Sequence, residues 1–430
     1  MSDALHDGAG SGPSVAAGAW MTRALQLTAL VAPLLPIFAA LGMVPLLVAS
    51  AAAIGLLALA QRRAIALPGW PVAPALLGLV LVWGALSSLW SVRPAASLIT
   101  VLQLLGLFIP GAVVLGGIAR LDGGEAAAIG RALALGLIAA LTIYGVEIAF
   151  DSPIRSLLEP RQGSVEQIYS VFNRGLAVLV LLLSPAVIFL RRRGHPVAAG
   201  GLAVAIIAIV YLYYGSSVWL ALACGLLAAA LSYAGRGHAI RLIGWILAIM
   251  VMAAPFVARD AITPRLIETV SRQTDNLSIP HRLVIWHFVG ERVLERPLTG
   301  WGLDAARAMP GGKDKVAVHT RGCQPPCAIA AESLPLHTHN MALQWWLELG
   351  LPGAALGAAL LLWLFHRIAR LAADRSEAAL LAGQLTAASV VAGLGYGAWQ
   401  SWWIATLILA MALSLASLRA DRRRVEPGSE

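Results

Sequence analysis

Gly175-Leu-Ala-Val-Leu-Val180-Leu-Leu-Leu-Ser-Pro185-Ala-Val-Ile-Phe-Leu190-Arg191-Arg192-Arg193 runs sixteen residues without a charge and then sets three arginines in a row. A helix of this kind can cross most of the ~30 Å of bilayer hydrocarbon. Consecutive cations at its end mark the cytoplasmic side, where short loops collect Lys and Arg. The alternation recurs along the chain. Apolar segments at 24–42, 43–60, 72–90, 97–119, 132–150, 175–190, 196–214, 217–234, 242–258, 350–366, 378–396 and 400–418 predict about twelve spans. An even number puts both termini on one side.

Composition agrees. Of 430 residues 59% are hydrophobic and 12% charged, about half the ~25% of soluble domains. The net charge of +9 would suggest nucleic acid in a soluble protein. Here the arginines sit at span ends, so the positive-inside rule explains them better. Seventeen of the 31 Lys and Arg residues hug one side, among them Arg62, Arg63, Arg191, Arg192, Arg193, Arg236, Arg367 and Arg419. That side is expected to be cytoplasmic. The expected fold class is an all-α integral membrane protein of about 12 transmembrane helices, with one large periplasmic loop containing short helices.

The organisation follows. Residues 1–22 are expected to form a disordered cytoplasmic N-terminal tail, with no cleavable signal peptide. Residues 23–258 carry transmembrane helices 1–9, with an outer segment at 151–174. Residues 259–338 are the large periplasmic loop, too long for a passive link. Residues 339–418 hold a periplasmic helix and transmembrane helices 10–12, and 419–430 a cytoplasmic tail. Within the loop, 278–296 is predicted as a helix, with Ser278 as N-cap, Pro280 in the first turn and Pro297 ending it. It could lie on the membrane surface or over the bundle mouth. A second helix is expected to begin near Thr338 and to break at Gly350-Leu-Pro-Gly353. No Lys, Arg or Asp falls in the middle of a span, which argues against ion-coupled transport.

Candidate chemistry therefore concentrates in the loop. His337 and His339, at i and i+2, point the same way if extended, and their ordinary pKa suits proton transfer; the alternative is interfacial histidines capping a helix. Arg161, Arg174, Arg265 and Arg282 lie outside, where positive charge is sparse, and guanidinium forks match phosphate oxygens. Arg292 and Arg296 are expected to pair with Glu291 and Glu295 instead. Carboxylates are too scattered to hold a divalent ion against a diphosphate, so no metal and no cofactor is expected. Cys323 and Cys327, in Cys-Gln-Pro-Pro-Cys, could close a small disulfide ring or remain free. Gly300-Trp-Gly302 reads as a turn.

Three stretches resemble the O-antigen ligase and polymerase superfamily. They are Phe172-Asn173-Arg174-Gly175; Arg282-Leu-Val-Ile-Trp286 followed by Pro297-Leu-Thr-Gly300-Trp-Gly302; and His337-Thr-His339-Asn340…Gln344…Glu348-Leu-Gly350-Leu-Pro-Gly353. The short outer loop Tyr214-Gly-Ser-Ser-Val-Trp219 departs from the pattern, because many members carry an arginine there.

The resemblance implies a glycosyltransferase of GT-C type using an undecaprenyl-pyrophosphate-linked glycan on the periplasmic face of the bacterial inner membrane. It implies roles for His337 as base with His339 as understudy. Arg282, Arg161, Arg174 and Arg265 would bind pyrophosphate, and Asn340 and Gln344 would support. Among members, an O-antigen ligase that transfers to lipid A–core oligosaccharide is the expected fit, metal-independent and inverting. Protein O-oligosaccharyltransferases often carry C-terminal soluble domains and polymerases a second large outer loop; no such domain is expected here, and the outer segment 151–174 is modest. These two, and a lipid-linked sugar flippase from another class, are the alternatives.

Overall fold

The computed structural model describes residues 13–60, 71–158, 165–213, 216–321, 329–371 and 374–421. Its first helices are α1 (Pro13–Val31), α2 (Leu35–Phe38), α3 (Met43–Ala60), α4 (Val72–Leu86) and α5 (Pro94–Ile118). There follow α6 (Gly123–Ala149), α7 (Pro153–Leu158), α8 (Val165–Arg192), α9 (Pro196–Leu212) and α10 (Ser216–Phe256). A turn of π-helix at Val257–Ala261 leads to α11 (Pro264–Gln273) and α12 (Ser278–Glu295). After the antiparallel pair β1 (Lys315–Val318) and β2 (Ile329–Glu332) come α13 (Met341–Leu371), α14 (Arg375–Leu394) and α15 (Ser401–Arg419).

Among the described residues, ten helices are long and apolar enough to cross a membrane. The chain is an all-α, multi-pass membrane protein. Two places separate ten from the expected twelve. The apolar stretch Ser217–Ala261 counts once although Arg236, at φ 53°, interrupts its helix, and the apolar α9 has only 17 residues. Large apolar side chains such as Leu56, Leu79, Leu102 and Ile109 are more than half exposed. Helices apolar on every side are what a lipid solvent accommodates.

The chain divides into two compact units. One comprises residues 1–69, 107–213 and 405–430. In it Phe172 is fully buried among Tyr144 and Tyr213, with ring centroids 5.8 and 5.1 Å away, and the Arg155 guanidinium lies 5.4 Å from its ring. A Cβ on Gly175 would stand 2.1 Å from the Tyr144 hydroxyl. The Phe-Asn-Arg-Gly stretch is thus a packing seam on two of its four residues.

The second unit comprises residues 70–106 and 214–404. Here α10 packs along α13 and α14. At Gly225 and Gly383 the backbones come close enough that a Cβ on either would meet the other's carbonyl oxygen, at 2.9 and 2.6 Å. Small residues allow such approach where lipid supplies no hydrophobic drive between helices.

The long loop is folded within this unit. α12 buries Ile285, Val289 and Val293 completely, against Ala258, Trp301, Leu347 and Trp346. Each such side chain contributes about 1.5–3 kcal/mol on burial, so α12 is packed onto α13 and the end of α10 rather than lying free. Ser278 is the first residue of the helix rather than its cap; Leu277 stands at the cap position without a side-chain cap hydrogen bond, and Asn276 Oδ1, one residue further out, accepts the Ser278 N–H at 2.9 Å. The helix ends at Glu295, before Pro297. Cys323 and Cys327 lie outside the described residues.

Candidate active site

The site grows from a backbone crossing. α13 breaks at Gly350 (φ 63°, ψ −158°), and the turn 297–302 lies against that break. Leu351 N donates to the Pro297 carbonyl at 2.8 Å, Trp301 N to Leu347 at 2.8 Å and Gly302 N to Glu348 at 2.9 Å. A Cβ on Gly350 would stand 2.5 Å from the Leu298 oxygen, and one on Gly302, at φ 98°, 2.3 Å from Ser91. The Pro-x-x-Gly-x-Gly and Glu-x-Gly patterns are therefore two sides of one crossing. Gly350→Ala is expected to lower the unfolding temperature of the purified protein, since backbone strain alone costs about 1–3 kcal/mol and the clash adds to it. An unchanged thermal transition would mean the crossing is not rigid.

Glu348 locks the next layer. Its fully buried carboxylate accepts from Asp304 N at 2.6 Å, Ala306 N at 3.3 Å, Gln344 Nε2 at 3.0 Å and the Trp399 indole N–H. All four partners are donors, so the acceptor capacity of one carboxylate is used on loop, helix and C-terminal chain together. Gln344 Oε1 in turn accepts Ala398 N at 2.8 Å. Beside it the Gly397 backbone abuts His337, a Cβ there falling 3.2 Å from the histidine's own.

The His337 and His339 rings lie side by side, their centroids 4.2 Å apart and their planes 57° to one another. Asn340 caps α13, accepting Leu343 N at 3.1 Å, so the helix begins at Met341 rather than near Thr338. The Trp286 indole donates to the Thr338 carbonyl at 3.0 Å and ties the pair to α12. His339 has the left-handed φ of 51°, a conformation that clusters at functional positions.

Hydrogen bonds distinguish the rings. His339 Nδ1 lies 2.9 Å from the Gly395 carbonyl. A carbonyl only accepts, so Nδ1 carries the proton and Nε2 keeps its lone pair in the neutral ring. His337 Nδ1 accepts the His339 backbone N–H at 3.2 Å, which leaves its own proton on Nε2. Burial, then His339, Arg307 and Arg282, push the His337 pKa down to about 3. Burial chiefly, with Arg282 and His281 beside it, lowers His339 to about 4, although the Gly395 bond works the other way. Both rings are neutral at pH 7.

Arg282 stands one turn before Trp286 on α12, and its charge acts on both histidines. Its Nε is a buried donor without an acceptor, and burial lowers its pKa. Among the described residues it has no carboxylate partner. Three of the loop's other arginines are engaged: Arg292 with Glu295 at 2.7 Å, Arg272 with Glu268, and Arg296 over the Trp301 ring at 4.0 Å.

The structure thus brings together His337, His339, Arg282, Asn340 and Gln344. Arg265 is exposed on the first turn of α11. Arg174 is exposed on α8, in the other unit, and Arg161 lies outside the described residues. Sequence reasoning passed over Asp304 and Arg307. Asp304, at φ 58°, sits 3.7 Å from Arg307 and 3.5 Å from Arg93. Their i, i+3 spacing after the Gly300-Trp-Gly302 turn was the available signal. Among the described residues, no group of three His, Cys, Asp or Glu is placed to hold a metal ion.

Residues 201–358 match the protein family described as O-antigen ligase. The chain is 25% identical over 343 residues to a Rickettsia prowazekii protein named "Putative polysaccharide ligase", covering 79% of each chain. It is 24% identical over 347 residues to a protein of that name from Rickettsia typhi, 80% of each chain. A Rickettsia conorii protein of that name is 31% identical over 144 residues, 34% of this chain and 33% of its own. The matched segment contains Arg282, the glycine crossing, both histidines and Glu348, and over that segment the chain is similar to the O-antigen ligase family.

Proposed function

We propose that the chain is an O-antigen ligase of the bacterial inner membrane, joining a polysaccharide carried on undecaprenyl pyrophosphate to a sugar hydroxyl of lipid A–core at the periplasmic face. The observation that carries this reading is a neutral His339 whose Nδ1 proton is donated to the Gly395 carbonyl, leaving Nε2 free, beside the uncompensated Arg282 guanidinium. Nε2 of His339 takes the proton of the acceptor hydroxyl as its oxygen bonds to the anomeric carbon. The bond from that carbon to the diphosphate breaks, its electron pair leaves on the diphosphate oxygen, and configuration inverts. Arg282 meets the charge that develops there. No metal takes part. His337, with its proton on Nε2, donates to substrate, and Asn340 and Gln344 hold the frame. Arg161, Arg174 and Arg265 are proposed as further diphosphate ligands on their sequence pattern alone.

A histidine with lowered pKa stays unprotonated further into acid. The acid limb of kcat/KM, which reports the free enzyme, is expected near pH 4 rather than at the ordinary histidine value. Donor binding adds negative charge and opposes the arginines, so the limb of kcat should lie at higher pH. A kcat/KM limb at the ordinary value would contradict the buried base.

The function is tested in a strain lacking the gene, by analysing its lipopolysaccharide. A ligase leaves lipid A–core bare while polymer accumulates on the lipid carrier. A single repeat unit on the core would instead indicate a polymerase. Normal lipopolysaccharide would remove both readings.

A further inference from the structure

At the loop after the glycine crossing, the Arg307 and Arg93 guanidiniums share one carboxylate. Asp304 is the carboxylate that faces Arg93 and Arg307, with Oδ2 3.5 Å from one and Oδ1 3.7 Å from the other. Both separations exceed a good hydrogen bond, so Asp304 steers the two arginines without satisfying their N–H groups. Arg282 is the third cation and has no carboxylate partner among the described residues. Even with the enclosed Glu348 ionised, three positive groups exceed two negative ones.

The backbone beneath Arg307 is fixed while its side chain is open. Ala305 and Ala306 are buried, and Glu348 holds the N–H groups of Asp304 and Ala306. The Arg307 side chain is 53% exposed, against 23% for Asp304. Asp304 meets the Nε edge, which leaves the terminal nitrogens for another acceptor. The same arginine lowers the pKa of His337, as Arg282 does.

We propose that Arg307 is a second guanidinium ligand for the diphosphate of the donor, working with Arg282 and oriented by Asp304. This rests on the ligase reading above and names a binding residue outside the sequence patterns that suggested it. Two guanidiniums suit a diphosphate, which offers two anionic groups, better than a monophosphate.

The test measures binding of farnesyl diphosphate and farnesyl monophosphate to the full chain in nanodiscs, alongside transfer kinetics. Wild type should prefer the diphosphate. Arg307→Ala should weaken diphosphate binding about tenfold, the scale of one lost charge-assisted contact, and leave the monophosphate within a factor of about three. Donor KM should rise in step while kcat changes little, and Arg307→Lys should recover part of the affinity. Arg272→Ala, which removes an exposed charge paired with Glu268, should change neither ligand. Unaltered diphosphate affinity in Arg307→Ala, with wild type binding and transferring normally, overturns this assignment and leaves the ligase reading standing. A wild-type protein that binds no diphosphate and transfers no glycan overturns both.

Discussion

His339→Ala is expected to reduce kcat for glycan transfer by about 10²–10⁴-fold, the usual range for losing a positioned general base. Donor KM should change little, because the imidazole handles the acceptor proton rather than the diphosphate. The argument rests on proton placement. The Gly395 carbonyl fixes hydrogen on Nδ1 and keeps Nε2 available, whereas His337 already uses its Nδ1 lone pair on the His339 backbone. His337→Ala should therefore cost less than His339→Ala. His339→Gln, with a side-chain amide that cannot take up the proton, should behave like alanine. The opposite order of the two alanine variants would return the base to His337, the first choice on sequence. Full activity in His339→Ala would remove it from the chemistry.

Arg282→Ala should cost about 10²–10³-fold in kcat, comparable to deleting one donor from a site that stabilises developing charge. Here the loss should extend to donor KM, since the guanidinium also meets the ground-state diphosphate. Arg282→Lys retains charge but not the planar fork, and should recover only part. A second signature follows from charge. Removing Arg282 relieves both histidines of a cation that lowers their pKa, so the acid limb of kcat/KM should move toward higher pH. Unmoved pH dependence in Arg282→Ala would show that the arginine does not act on the base.

Much of the fold was legible because lipid imposes a simple code of apolar runs punctuated by arginines. The code fails where geometry is local. Arg236 turns the chain inside one continuous helical assignment, and α9 is shorter than its apolar run of 196–214. The start of α12 moved one residue, so that Ser278 opens the helix and Leu277 precedes it, because only the backbone decides where the first turn closes.

At the site, the block from His337 to Gly353 could be read because caps, a helix break and paired histidines leave residue types at fixed intervals. Which ring nitrogen holds the proton could not, since its partner Gly395 lies 56 residues away. Asp304 and Arg307 escaped notice because an ordinary Asp-x-x-Arg acquires meaning only when Glu348 grips the loop and Asp304 adopts a left-handed backbone. The glycines of 300–302 were rightly read as backbone devices. Their partner at Gly350 could not be inferred from spacing.

The central claim is transfer from a lipid diphosphate to lipid A–core by this chain. The direct measurement incubates the purified protein in nanodiscs with undecaprenyl-pyrophosphate-linked polymer and lipid A–core, following both products. The account predicts polymer joined to the core, with one undecaprenyl pyrophosphate released per transfer and almost none of either with His339→Ala. Polymer that lengthens on its lipid carrier while the core stays bare would contradict it.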